Sequence, residues 1–491
     1  MIFPTFEFAG FFLCVFVGFW YVFRRKRDRR LFLTAASYAF YAFWDWRFCF
    51  LLLASTAAAW FFGLLIGAQR EHFRRKAVLV LSVVFFLLVL AFFKYWGAFS
   101  VAVNSLLERV AASGVPSGVP SGVSGAEPAF LLPVIQVALP VGLSFYTFKA
   151  MSYVFDVYLC KMPPSKDAVD VALYVSFFPQ LASGPIVHAA DFIPDIERAA
   201  SAGIEPGSRP IELSRALALL GSGLFKKLVL ANFLSTLFVD PVFSDLASRH
   251  SLEVLLAAFG YSAVIYADFS GYSDMAIAVA LLLGFRTPAN FRRPYAAFSV
   301  TDFWKRWHIT FSSWLREYLY FSFGGSRFGK RRTLFALVAT MMLGGLWHGP
   351  KATFVVWGAM QGVALALERA FGTGERKSAS PGKAALQVTG TFLFATASWI
   401  VFRAGSLEAV AAWARALSNF GAPITLLTPT VLATLAVALG IHAIPDSARS
   451  RSLSAWTALP FPLKGVASAL FLAALHVVSM SGVAPFIYFQ F

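Results

Sequence analysis

Along the chain, apolar runs of membrane-crossing length alternate with short segments rich in lysine and arginine. A hydrocarbon core about 30 Å thick is crossed by about 20 apolar residues in a helix rising 1.5 Å per residue. Runs at 48–68 and 77–96 meet that length, and the shorter runs at 8–23 and 31–44 are read with them as spans. The runs at 31–44 and 48–68 form a hairpin turning at Trp44-Asp45-Trp46-Arg47, where aromatics beside charge suit a membrane interface. The basic segments 24–30, 70–76 and 286–332 place themselves in the cytoplasm by the positive-inside rule, with the N-terminus outside. Residues 113–126 repeat Ser-Gly-Val-Pro almost without charge and read as a flexible outside loop.

A long helix over 131–159 is predicted to recross, and 213–239 and 252–284 look like full crossings. Segment 286–332 carries ten Lys/Arg against Asp302 and Glu317, so it belongs to the cytoplasm. These sides agree only if one intervening run fails to cross. The run 169–187, broken by Phe178-Pro-Gln and Ser183-Gly-Pro, is the best candidate for a re-entrant segment, which must be buried in protein or line a cavity. Further spans at 385–402, 426–443 and 465–480 follow a cytoplasmic linker at 374–383, with an outside amphipathic piece at 407–417. The pattern predicts an all-α polytopic membrane protein: one membrane domain over 1–491, about eleven or twelve transmembrane helices plus the re-entrant run.

Composition agrees: 58% of the 491 residues are hydrophobic, 14% are charged, and there are 54 phenylalanines. The net charge of +17 lies in clusters between apolar runs, which fits cytoplasmic loops beside anionic lipid and argues against nucleic acid as a partner. Cys14, Cys49 and Cys160 are scattered, without metal-ligand spacing. The first run ends at Arg24-Arg25-Lys26-Arg27 without a small-residue cleavage site and reads as a retained span.

Candidate chemistry centres on Met342-Leu-Gly-Gly-Leu-Trp-His348-Gly-Pro350. An apolar run from Thr333 reaches His348 after about 22 Å, short of the bilayer thickness, and Gly349 and Pro350 end the helix there. A titratable side chain at membrane depth is a functional hypothesis, set against an equally simple packing role between helices. Gly344 and Gly345 remove bulk beside it and admit another chain or a substrate. Desolvation by Leu343, Leu346 and Trp347 favours the neutral, base-competent imidazole. A second element, 302–320, carries Trp304, Trp307, Phe311, Trp314 and Tyr318 at helical spacing, with His308 at the stripe's edge. It reads either as an interfacial helix with Trp anchors or as part of the site. His442 and His476 are single histidines in apolar runs and read as packed. Zinc-protease, cysteine-pair, Walker, dinucleotide and Gly-x-Ser-x-Gly motifs are absent, so no metal site is expected. What remains is a His-centred site suited to general-base work.

Four motifs then carry a resemblance: Gly344-Gly-Leu-Trp-His-Gly349, Asp302-Phe-Trp-Lys-Arg-Trp-His308, Ser313-Trp-Leu-Arg-Glu-Tyr-Leu-Tyr320 and Asp268-Phe-Ser-Gly-Tyr-Ser-Asp-Met-Ala276. Together with Pro140-Val-Gly-Leu-Ser-Phe-Tyr-Thr-Phe148, Gly223-Leu-Phe-Lys-Lys227 and Phe93-Lys-Tyr95, they resemble the membrane-bound O-acyltransferases, in particular the bacterial branch that serves alginate O-acetylation. Lys149 and His188 depart from that pattern. The resemblance implies a ring of helices around a thinned centre with funnels from both faces. By that resemblance His348 and His308 are the catalytic candidates; Arg306, Arg316, Trp304, Trp347, Asp268 and Ser273 are the substrate-binding candidates.

The implied activity is transfer of an acetyl group from cytoplasmic acetyl-coenzyme A, with no tightly bound cofactor, across a bacterial inner membrane to an exported polysaccharide. A periplasmic or secreted acetyltransferase partner can stand between. Lys305, Arg306 and Arg316 would attract the anionic donor, and they read equally well as loop charges that orient the protein in the membrane. Alternatives are acyl or D-alanyl transfer to peptidoglycan or teichoic acid. A transporter with broken helices fits less well, since no internal repeat is present.

Overall fold

The computed structural model describes residues 3–113, 139–203, 211–374, 378 and 380–478, and every regular element among them is helical. The repeat at 114–126, the first part of the predicted 131–159 helix and the tail beyond 478 lie outside the described residues.

Helix α1 (Phe6–Val17) starts at Thr5, whose hydroxyl accepts from the Phe8 amide at 3.3 Å, as an N-cap should. Helices α2 (Lys26–Asp45) and α3 (Phe48–Ala68) form the expected hairpin. Its turn is closed by Arg47, which grips the Asp45 carboxylate through Nε (3.0 Å) and Nη2 (2.7 Å). Helix α4 (His72–Ser113) continues well past the expected end at Trp96.

Helix α5 (Leu143–Tyr158) is shorter than the sequence reading. Gly142 takes φ +73°, a left-handed conformation, and a Cβ there would lie 2.4 Å from the Leu181 carbonyl oxygen. Glycine is needed twice over, for the turn and for the close approach. The segment read as re-entrant breaks at Phe177 into α6 (Ala168–Ser176) and α7 (Phe178–Leu181). Nine residues of α6 span about 13 Å, too short to cross. Its irregular backbone is satisfied from neighbouring elements: Phe178 N donates to Ser37 Oγ at 3.2 Å and Ile186 N to Thr310 Oγ1 at 3.0 Å.

Helix α8 (Ala189–Ser201) follows, then α9 (Leu213–Leu224), which runs on through π-helical turns. Helix α10 (Ser251–Leu282) is the central post, with 78% of its apolar stretch buried. It meets α9 where Gly223 faces Gly271, since a Cβ on Gly223 would come within 2.7 Å of the Gly271 carbonyl oxygen.

Segment 302–320 is not one helix. Helix α11 (Val300–Trp304) and α12 (Ile309–Trp314) are separated by a break at 305–308, and a π-helical turn (Leu315–Tyr320) follows α12. Trp304, Trp307, Phe311, Trp314 and Tyr318 are all buried, so the stripe packs into the protein instead of anchoring an exposed interfacial helix.

Helices α13 (Lys330–His348) and α14 (Ala352–Phe371) form a tight hairpin. A Cβ on Gly345 would sit 2.2 Å from the Phe354 carbonyl oxygen, and one on Gly358 2.4 Å from that of Met341. Small residues let these two backbones touch. The chain admitted beside Gly345 is therefore the protein's own. Helices α15 (Pro381–Arg403), α16 (Leu407–Ala416), α17 (Pro429–Gly440), α18 (Asp446–Ala458) and α19 (Phe461–Val478) complete the fold.

Six helices among the described residues are long and apolar enough to cross a membrane, and a seventh crossing forms if the pair 446–458 and 461–477, bent by 117°, counts as one. Shorter apolar helices lie at 6–22 and 429–440. The eleven or twelve spans of the sequence reading included segments that the structure keeps short or breaks. The molecule is an all-α, multi-pass membrane protein.

The α13–α14 contact yields a direct test. Gly345→Ala should lower the thermal midpoint, because the methyl group meets rigid backbone and overpacking costs about 1–3 kcal/mol. Gly382→Ala, with open space around it, should leave the midpoint unchanged in the same detergent-solubilised melting assay.

Candidate active site

Helix α13 ends where the sequence says it should, and the structure shows how that end is satisfied. The last carbonyls of a helix have no partners within it. Lys94 Nζ donates to the Trp347 carbonyl and Tyr95 Oη to that of Leu346, so the Phe93-Lys-Tyr95 motif of α4 caps the helix carrying His348. His348 is buried, 4% exposed. Its ring is walled by Trp347 (4.7 Å between centroids), Phe402 (4.9 Å), Trp357 (5.5 Å) and Phe354 (5.9 Å). Leu343 and Leu346, expected to desolvate it, face outward instead, because a helix repeating every 3.6 residues turns them away from the face that carries Gly344 and His348. From Thr333 to His348 the apolar part of α13 covers about 22 Å, and the exposed Lys351 follows three residues later.

His308 occupies the break between α11 and α12. Its φ of +43° makes it one of three non-glycine residues with positive φ among those described. Such a conformation is costly and persists where the surroundings impose it. Here they do. Asn290 Oδ1 lies 3.1 Å from His308 Nδ1 and also accepts from Thr310 Oγ1 at 2.9 Å, while Asn290 Nδ2 donates to Ser273 Oγ at 3.2 Å. With Asn290 Oδ1 as acceptor, the proton is assigned to Nδ1 of His308 and Nε2 presents a lone pair. That Nε2 is buried and has no hydrogen-bond partner among the described residues. Burial pushes the His308 imidazole down to about 3, so it is neutral at physiological pH.

The two histidines belong to one aromatic stack. His308 stacks on Phe311 (4.9 Å), Phe311 on Trp347 (4.8 Å), and Trp347 meets the His348 ring. Phe148 closes the other face of Trp347 at 5.1 Å. Ser273 joins this site through Asn290. Asp268, one turn earlier on α10, instead forms a buried ion pair with Lys227 of the π-helical stretch after α9.

Two adjoining cavities lie toward the basic end of α13. The larger, about 710 Å³, is lined by Trp304, Lys305, Arg316, Thr340, Met341 and Arg369 among others. The smaller, about 560 Å³, includes Lys161, Arg316, Tyr318 and Arg327, and shares Ser313, Arg316 and Phe321 with the first. The Arg316 and Arg327 guanidiniums lie 5.8 and 5.5 Å from the Phe321 ring centre. Trp304 is buried and donates to Gln361 Oε1 at 3.1 Å. Arg306 lines neither cavity and pairs with Asp302 at 2.9 Å.

His348, His308, Trp347 and Ser273 are thus brought together, Arg316 and Trp304 line the cavity, and Arg306 and Asp268 hold structure nearby. Residues 163–406 match the family described as MBOAT, membrane-bound O-acyltransferase. A probable alginate O-acetylase of Pseudomonas aeruginosa is 37% identical over 423 residues, covering 86% of this chain and 75% of that protein. The chain belongs to the membrane-bound O-acyltransferase family. It is an O-acetyltransferase by the same likeness. A peptidoglycan O-acetyltransferase of Helicobacter pylori is 32% identical over 77% of this chain and 72% of its own length. A teichoic acid D-alanyltransferase of Bacillus subtilis is 25% identical over 46% of this chain and 57% of its own.

Sequence reasoning missed Asn290 and the capping role of Lys94 and Tyr95. A polar residue amid Thr287-Pro-Ala-Asn290 carries no periodic signal, and Lys94 looks like an ordinary charge near a span end. Asn290→Ala should slow acyl transfer by about 10²-fold, since a misplaced group near the chemistry can cost that much. Asn290→Asp, which keeps the acceptor oxygen, should retain more activity; equal loss in both variants at equal thermal midpoint contradicts the orienting role.

Proposed function

We propose that this chain takes an acetyl group from a thioester donor, acetyl-coenzyme A, at its basic face and delivers it across the bacterial inner membrane to hydroxyls of an exported, alginate-like polysaccharide. Delivery is direct or through a periplasmic or secreted transferase, and the N-terminus lies outside. One observation carries the reading: helix α13 has along one stretch a cavity whose lining holds three cations, Lys305, Arg316 and Arg369, against one carboxylate, Glu368, and has a buried imidazole at its far end. A donor anchored by Lys305, Arg316 and Arg369 extends along that helix toward His348. The likeness to an alginate O-acetylase over most of both chains supports the acceptor class.

In the proposed reaction His348 takes the proton of the acceptor hydroxyl as its oxygen attacks the thioester carbonyl. The carbon–sulfur bond breaks, and the imidazolium returns the proton to the departing thiolate, so no net proton is consumed. The aromatic walls exclude water that would otherwise hydrolyse the thioester. His308, with a lone pair on Nε2, can accept from a second, non-reacting hydroxyl of the acceptor but cannot donate to an oxyanion, so its part is to orient the acceptor. General-base catalysis of this kind is typically worth about 10²–10⁴-fold.

His348→Ala should therefore abolish transfer of labelled acetyl while yield and thermal midpoint stay unchanged. A merely packed histidine would instead show a stability loss of about 1–3 kcal/mol with activity tracking the folded fraction. Alginate-like polymer and peptidoglycan offered side by side separate the two acceptor classes, with the first expected to be labelled.

A further inference from the structure

The smaller cavity, about 560 Å³, takes no part in the reaction described above, and its wall has two chemistries. One side is basic, with Lys161, Arg316 and Arg327 against a single carboxylate, Glu317. Lys161 is the cation that Glu317 neutralises, at 2.5 Å. Arg316 and Arg327 are exposed and form no ion pair among the described residues. Both guanidiniums rest against the Phe321 ring, which holds them at one wall. Two free guanidiniums so placed suit a phosphate, which each can meet with paired N–H donors.

The other side is apolar: Leu79 of α4, Phe155 of α5 and Leu159 just past the end of α5. These residues stand at the edge of the bilayer. Leu79 follows Lys76, the last residue of the basic run 70–76, by about 4.5 Å along the helix. Of the six candidate spans among the described residues, that of α4 is the least enclosed, with 17% of its apolar stretch buried, so it stands at the periphery and faces lipid. Val80, Val84 and Leu159 are all exposed there. A soluble anion would satisfy the arginines and leave this apolar wall bare. A hydrocarbon alone would leave two guanidiniums unpaired. A ligand that fits both sides has an anionic head and an apolar body.

We propose that this cavity binds an anionic phospholipid from the leaflet at the basic face. Arg316 and Arg327 hold its phosphate, and its acyl chains lie along Leu79, Phe155 and Leu159. Basic pockets beside membrane-spanning helices are suited to such headgroups. Arg316 also stands in the wall shared with the larger cavity, so a bound lipid steadies one of that cavity's cations. The site itself does not depend on what the larger cavity holds.

The test titrates the full chain in a neutral detergent with phosphatidylglycerol, with phosphatidylcholine of the same chains, with inorganic phosphate and with coenzyme A. The apparent Kd of each is read from the rise in thermal midpoint. Phosphatidylglycerol should bind more tightly than phosphatidylcholine. Arg327→Gln should weaken phosphatidylglycerol by about tenfold, the loss of one charge-assisted contact, and Arg327→Lys should recover part of it. Arg331→Gln removes an equally exposed charge outside both cavities and should leave phosphatidylglycerol binding unchanged. Coenzyme A should bind wild type and Arg327→Gln alike. Equal affinity for the two lipids, no loss in Arg327→Gln, or an equal loss in Arg331→Gln overturns the inference. Inorganic phosphate or coenzyme A that weakens with Arg327→Gln as much as phosphatidylglycerol does also overturns it, because the arginines then serve a soluble phosphate.

Discussion

A helix that stops inside an apolar layer leaves carbonyl groups without water to receive them, at about 1–3 kcal/mol for each buried group left unpaired. Lys94 caps the Trp347 carbonyl, and Tyr95 joins the Gly349 amide on that of Leu346, which removes that cost; the rest of the site depends on it. With the Leu346 and Trp347 carbonyls satisfied from α4, the chain can turn at Gly349 and return as α14 with His348 still buried. The glycine contact between α13 and α14 then fixes the hairpin, and Phe354, Trp357 and Phe402 enclose the imidazole. One amine and one hydroxyl from a distant helix thus decide where the His348 ring sits.

The second histidine is held by a different device. His308 keeps a left-handed backbone because Asn290 receives both its ring and the Thr310 hydroxyl, while Thr310 in turn receives the amide of Ile186 from the broken segment after α7. The irregular 182–188 backbone, the break before α12 and the tautomer of His308 are therefore one network. The rings from His308 through Phe311 and Trp347 to His348 meet one another by packing. Dryness and position come from aromatic rings, with few polar atoms among them.

Much of this was legible from the residues. Helix ends at Asp45, Ala68 and His348, the α2–α3 hairpin and the broken run at 169–187 follow from apolar length and from proline and glycine, which act locally. Local signals misled where tertiary contacts override them. The aromatic spacing of 302–320 is helical throughout, yet Asn290 imposes a break that no periodicity records. Leu343 and Leu346 looked like walls of the site because they neighbour His348 in sequence, whereas the real walls come from α14 and α15. Arg306 and Arg316 look alike in a basic stretch, and only their folded neighbours, Asp302 for one and two cavities for the other, tell them apart.

The central claim is that a donor bound among the cations at one end of α13 is discharged at a histidine near the other, so that acetyl enters and leaves on opposite faces. Sidedness in reconstituted vesicles tests this most directly. With Cys14, Cys49 and Cys160 replaced and the orientation read by labelling a cysteine introduced at Ser326, labelled acetyl donor is supplied to one face and polysaccharide acceptor to the other. The account predicts labelled polymer only when the donor is on the face that exposes position 326 and the acceptor is opposite. Equal labelling from either face, or labelling only when donor and acceptor share a face, would contradict it.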